Sequence, residues 1–178
     1  MVTNSNDFLL IVIDFQEKLA KHIDGINSII ESSIKLIKAF NIFELPVILT
    51  EQIKLGNTIQ EIKSLVNVEP IQKHTFSCLG CEEFYRKIKE VNPKICILIG
   101  IEAHICILQT ALDLIKEGYK VYVAIDCIGS RNKIDKDVAI QRLIMEGAKP
   151  ATAEMIIYEI LKSAKHEKFK KILEIVKG

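Results

Sequence analysis

KICILIGIEAHICILQTALDLIKEG, residues 94–118, joins the clearest strand signal in the chain to a helix with almost no loop between them. Its first seven residues, KICILIG, form a short apolar run rich in isoleucine, the pattern of a strand buried on both faces. From about residue 104 to residue 116 the apolar spacing predicts a helix. Gly118 ends it by supplying the left-handed conformation that other residues resist. A strand running straight into a helix is the building unit of a parallel sheet, whose strands need crossovers between them.

The alternation continues in both directions. FLLIVID, residues 8–14, reads as a second fully buried strand. Residues 25–40 then place Ile26, Ile29, Ile30, Ile34, Ile37 and Phe40 at helical spacing, with Asp24 positioned to cap the start. Pro46 opens a strand at VILT, and a short helical pattern (Ile59, Ile62, Leu65, Val66) leads to a third strand near Ile71. Residues 81–89 read as a helix, YKVYVAID as the fifth strand, 133–145 as a helix, and 150–152 as a last short strand. Two helices close the chain, the final one carrying Phe169, Ile172, Leu173 and Val176 on one stripe. The expected architecture is one α/β domain over residues 1–178, with a mainly parallel sheet and right-handed crossovers.

Composition narrows the class. Of 178 residues, 49% are apolar and 26% charged, with 24 Lys and Arg against 23 Asp and Glu, so the formal net charge is +1. That balance leaves no surplus to drive binding to nucleic acid or an anionic membrane. The longest apolar runs fall well short of the roughly 20 residues that span a bilayer. MVTNSNDF lacks the basic and apolar regions of a secretory leader. Five cysteines, an odd number set mostly in apolar segments, point to free thiols in a reducing compartment. A cytoplasmic protein is the expectation.

In an open parallel sheet, ligands bind beyond the carboxyl ends of the strands. Those ends carry Asp14 after the first strand, Lys73 after the third, Glu102 to Cys106 after the fourth and Asp126 after the fifth. The turn after the first strand, IDFQEK, has no glycine for a pyrophosphate, and no phosphate-loop motif occurs. CLGC, at Cys78 and Cys81, has redox or zinc spacing but no second ligand pair. Two unpaired thiols is its plainer reading. The histidines His22, His74, His104 and His166 are scattered, and only His104 lies close to another reactive group. Cys106 falls in the first turn of the helix, where unpaired N–H groups and a neighbouring Lys73 favour a thiolate. Asp14 then fixes the lysine or moves a proton. On this reading Cys106 alkylates with iodoacetamide before the other four thiols. The plainer alternatives are a core cysteine, an aspartate capping a strand end and a solvated lysine.

IGIEAHICILQTALDLIKEGYKV closely resembles the nucleophile segment of the isochorismatase-like cysteine hydrolases, and most of all their short, single-domain branch. LLIVIDFQEKL, LTEQ, QKHTFSC, AIDCIGSR and GAKPATAEMIIYEIL occur in the matching order, so the similarity covers nearly the whole chain. The resemblance implies a three-layer α/β/α fold with a six-stranded parallel sheet in the order 3-2-1-4-5-6. It implies an Asp14–Lys73–Cys106 triad that hydrolyses a small amide-type bond through a thioester. It also implies a cis peptide joining Ile101 to Glu102, which would aim N–H groups near Glu102 and Cys106 at an oxyanion. Phe15, Ile53, Phe76, His104 and Ile105 would line the pocket, while Gln109, one turn beyond Cys106, packs below it. Metal-dependent nicotinamidases of this superfamily carry Asp-x-His after the second strand; Thr50, Glu51 and Gln52 stand there instead, so neither metal nor cofactor is expected. The loop that follows is about two residues shorter than in close relatives. A small-molecule substrate and a homo-oligomer complete the implied picture; a binding or assembly protein that keeps the fold is the alternative.

Overall fold

The computed structural model describes residues 7–177; residues 1–6, which include most of the segment read above as lacking a leader, lie outside them. The chain runs β1 (Phe8–Ile13), α1 (Glu17–Ala20), α2 (Ile26–Phe43), β2 (Val47–Gln52), α3 (Gln60–Lys63), β3 (Ile71–Lys73) and α4 (Glu82–Val91). It continues through β4 (Ile95–Ile101), α5 (Leu108–Lys116), β5 (Lys120–Gly129), α6 (Lys133–Met145), β6 (Lys149–Ala151), α7 (Ala153–Leu161) and α8 (Phe169–Lys177). The six strands form one sheet in the order β3-β2-β1-β4-β5-β6, with every pair parallel.

All six residues of β1 are buried, which is why FLLIVI shows no polar alternation. The pleat divides them. Phe8, Leu10 and Val12 join the core under α2, α7 and α8, against Leu36, Phe40, Ile156 and Ile172. Leu9, Ile11 and Ile13 turn to the opposite layer, where Phe84 and Ile88 of α4, Leu114 of α5 and Leu143 of α6 cover them. Each large apolar side chain so enclosed contributes roughly 1.5–3 kcal/mol. Among the described residues, no helix is long and apolar enough to cross a membrane.

Three local readings are corrected. Gly25, left-handed at φ 67°, occupies the cap of α2, and no side chain caps it; the Asp24 backbone N–H instead donates to the Ser130 carbonyl at 3.2 Å. The helix expected from residue 104 begins as a π-helical turn, Ala103–Ile107, before α5 takes over. The fifth strand continues past Asp126 to Gly129, because the β4–β5 register jumps from Leu98↔Val123 to Gly100↔Ile128. Asp126 is therefore a mid-strand residue, whose Oδ1 accepts from the Ala153 N–H at the start of α7.

Gly100 is where β4 closes on β1. Its φ is +131°, and a Cβ there would collide with the carbonyl oxygen of Ile13. Only glycine allows that approach, and it brings the end of β4 against the turn that carries Asp14.

Candidate active site

β1 ends at Ile13, and Asp14 adopts φ 53°, a left-handed conformation that aspartate tolerates better than most residues. Its N–H donates to the Thr50 carbonyl, and Thr50 Oγ1 donates to its Oδ1 at 2.8 Å. Oδ2 lies 2.7 Å from Lys73 Nζ, both side chains being fully buried. This approach makes a fully buried ion pair. Lys73, the last residue of β3, also donates to Gln52 Oε1 at 2.7 Å and to the Thr75 and Phe76 carbonyls at 3.2 and 3.3 Å. Its Nζ stands 3.7 Å from Cys106 Sγ. The structure thus brings Asp14, Lys73 and Cys106 into one buried cluster.

The charge states follow from that burial. Desolvation pushes the Lys73 ammonium down, but the Asp14 carboxylate and then the Cys106 sulfur outweigh it, and the net direction is upward. Cys106 is only 5% exposed. Burial, followed by the Asp14 charge, pushes its thiol well above the ordinary range, and Lys73 offsets only part of this. Burial and the Asp14 charge thus push Cys106 toward the thiol, against the thiolate expected from the helix start. The labelling order reverses with it. Alkylation needs the thiolate, so iodoacetamide near neutral pH is expected to modify half-buried Cys81 before Cys106, read by peptide mass spectrometry. Cys106 labelled first would mean a thiolate at rest.

Cys78, half of the CLGC pair, is fully buried, and the Asp14 and Lys73 charges both act on it. Burial first, then Asp14, pushes its thiol from 9.0 to about 12; burial alone does the same to Cys96. Below about pH 9 these thiols are protonated in folded and unfolded chains alike, and their contribution to stability is full. Above it the unfolded chain ionises first, so stability falls as pH rises toward 12, by about 1.4 kcal/mol per pH unit for each thiol. Urea midpoints measured between pH 8 and 11 under reducing conditions are expected to fall above pH 9. Cys96→Ala is expected to shallow that slope by one thiol's share.

The nucleophile turn has its own ties. The Ile101–Glu102 peptide is cis, and the Glu102 carbonyl accepts from Ile105 and Ile107 N–H groups. The buried Glu102 carboxylate receives Arg131 Nε at 2.6 Å and has His104 Nε2 at 3.7 Å, while His104 Nδ1 and Ser130 Oγ share a hydrogen bond of 2.9 Å. Ser130 and Arg131, rather than Asp126, are what the end of β5 supplies. Of the proposed lining residues, Ile53, His104 and Ile105 are half-buried and the Phe76 ring is 54% exposed. Phe15 is fully buried in the core beneath α2. Gln109 is exposed.

Thr50 and Gln52, read above only for the metal ligands they replace, bond directly to Asp14 and Lys73. Glu51 between them accepts from Thr58 N–H and Oγ1 on one oxygen and from Gln72 Nε2 on the other. All three side chains are committed to protein partners, which does not suit them to hold a cation. Among the described residues, no group of three or more His, Cys, Asp and Glu side chains gathers into a metal site.

Asp14, Lys73 and Cys106 thus lie together, buried, at the carboxyl edge of the parallel sheet of a three-layer α/β fold. The chain belongs to the isochorismatase family: the isochorismatase domain matches residues 8–155. It is 32% identical to isochorismatase family protein 1A of Dictyostelium discoideum, over 96% of this chain and 86% of that one. It is 35% identical to isochorismatase domain-containing protein 2 of Xenopus laevis, over 94% and 82% of the two chains. The solved structure of MAR1 ribonuclease from Caenorhabditis elegans superimposes with a TM-score of 0.92 at 33% identity, covering 99% of this chain and 92% of that one.

Proposed function

We propose that the chain, as one domain over residues 1–178, is a metal-independent cysteine hydrolase of a small amide-type C–N bond. The observation that carries this reading is Lys73 Nζ set between Asp14 Oδ2, at 2.7 Å, and Cys106 Sγ, at 3.7 Å. The Cys106 thiol hydrogen-bonds to the Asp14 carboxylate, which is the group beside it able to receive a proton. As Sγ attacks the substrate carbonyl carbon, its proton passes to Asp14 and the carbonyl electrons move to oxygen. Backbone N–H groups of the turn from Ile101 and Glu102 to Cys106 receive that oxyanion. The C–N bond then breaks, Asp14 returns the proton to the departing amine, and a thioester is left on Cys106. Water, deprotonated by Asp14, hydrolyses the thioester and restores the thiol. Lys73 keeps its charge throughout and holds the carboxylate in place.

Ile53, Phe76, His104 and Ile105 line the substrate pocket in this reading, with Phe15 as a buried wall behind them. A reducing cytoplasmic compartment suits the free thiols. The name ribonuclease belongs to the C. elegans relative; here a net charge of +1 suits a small, weakly charged substrate better than RNA. The test is an amide, nitrile and ester panel followed by intact-mass spectrometry for an acyl adduct on Cys106. Turnover with such an adduct supports the reading. No turnover and no adduct across the panel favours a binding protein that keeps the fold, and RNA cleavage surviving Cys106→Ala would place any activity elsewhere.

A further inference from the structure

Asp14 is tied to two thiols rather than one. The Cys106 thiol hydrogen-bonds to its carboxylate directly. Thr50 Oγ1 donates to Asp14 Oδ1 at 2.8 Å, and the same hydroxyl is within hydrogen-bonding reach of Cys78 Sγ. A second hydroxyl, that of Thr110, also reaches Cys78 Sγ, and its oxygen accepts the Cys78 backbone N–H at 3.0 Å. Thr110 follows Cys106 by four residues, about one helical turn. Cys78 is therefore seated against the segment that carries Cys106, and Lys73 feels the charge of both sulfurs. The proposed hydrolysis gives this second thiol no task.

The other cysteines are placed elsewhere. Cys127 belongs to the core on the opposite face of the sheet. Cys96 is the second residue of β4, at the amino end of a strand whose carboxyl end carries the site. Cys81 shares the CLGC spacing, but it stands half-buried at the start of α4, where its Sγ donates to the Gln72 carbonyl at 3.6 Å. Burial bars Cys78 from a substrate arriving through solvent, yet it is no bar to reaction with a neighbouring sulfur. A partner held in place reacts at an effective concentration far above that of any free thiol.

We propose that Cys78 resolves an oxidised Cys106, so that a small hydroperoxide converts the pair into a reversible disulfide. In the first step Cys106 Sγ attacks the terminal peroxide oxygen as its proton passes to Asp14. An S–O bond forms and the O–O bond breaks. The departing alkoxide takes the proton from Asp14 and leaves as an alcohol, or as water when the oxidant is hydrogen peroxide, and Cys106 is left as a sulfenic acid. Cys78 Sγ then attacks Cys106 Sγ. The S–S bond forms, the S–O bond breaks, and hydroxide leaves with the Cys78 proton as water. The two sulfurs are oxidised and the peroxide is reduced; a dithiol restores both thiols by exchange. Disulfides of reducing compartments are transient ones of this kind. The step shares Asp14 as proton acceptor with the proposed hydrolysis but needs no amide substrate, so either can fail without the other.

The test exposes the reduced full chain to a modest excess of hydrogen peroxide and maps it by non-reducing peptide mass spectrometry. The wild type is expected to lose the mass of two hydrogens and to yield a Cys78–Cys106 linked peptide that dithiothreitol separates. Cys81→Ser is expected to give the same link. In Cys78→Ser the link has no second sulfur, and Cys106 is expected to gain two or three oxygens as a sulfinic or sulfonic acid, which dithiothreitol does not reverse. Cys78→Ala, tested beside it, is expected to behave alike, and the wild-type peptides decide the question even where a variant loses its fold. A wild type that keeps every thiol reduced would overturn the proposal. So would a Cys78–Cys81 link, an irreversibly oxidised Cys106 beside a free Cys78, or a Cys106 that stays fully recoverable in folded Cys78→Ser.

Discussion

Replacing Cys106 by alanine is expected to lower turnover of any substrate found with the panel by about 10³-fold or more, while the protein stays folded. The reason is the absence of a substitute. Among the thiols acted on by Asp14 and Lys73, Cys78 is fully buried, so it lacks the access to take over attack. The structural cost is small, about 1 kcal/mol, since one buried sulfur is lost from the packing of α5 and the turn before it. Rates and melting temperature measured together separate the two effects. Turnover retained within tenfold would remove Cys106 from the chemistry, and a collapsed melting temperature would make it a packing residue.

The second large effect is on stability. Lys73→Met leaves the Asp14 carboxylate fully buried with Thr50 as its remaining side-chain donor. Stranding one member of a buried pair costs about 3–5 kcal/mol, which for a chain of this length lowers the melting temperature by roughly 10 °C or more. Adding Asp14→Asn to the same chain removes the stranded charge and is expected to recover more than half of the loss. The single variants and the double variant, measured by chemical denaturation, form the cycle that isolates the pair. If Lys73→Met is as stable as wild type, Asp14 is not charged in the resting protein and the proton route above fails.

Much of this was legible in residue order. Continuous apolar runs such as FLLIVI and ICILIGI name buried parallel strands, because no face of them needs to be polar. Strand ends then bring Asp14, Lys73 and Cys106 to one edge by topology. The direction of the Cys106 shift was not legible: a helix start and a lysine argue for a thiolate, whereas depth of burial and the charge of Asp14 push the other way. Nor was the part played by Thr50 and Gln52, since a segment searched for metal ligands reads as empty when its side chains are hydrogen-bond partners instead. Asp126 misled for another reason. Hydrophobic pattern marks where a strand starts but not how many residues it spends against its neighbour, and the irregularity in β5 carries the strand end three residues further.

That irregularity sets a dimension of the site. β4 advances two residues, from Leu98 to Gly100, while β5 advances five, from Val123 to Ile128. The surplus acts as slack that brings Ser130 and Arg131 level with His104 and Glu102. Each residue of extended chain is about 3.3 Å long, whereas the hydrogen bonds at stake tolerate only a few tenths of an ångström. Gain or loss of one residue between Ala124 and Cys127 would therefore break the contacts of Ser130 and Arg131 with His104 and Glu102. The residue count of that stretch is the quantity held to tolerance, like a spacer in an optical mount.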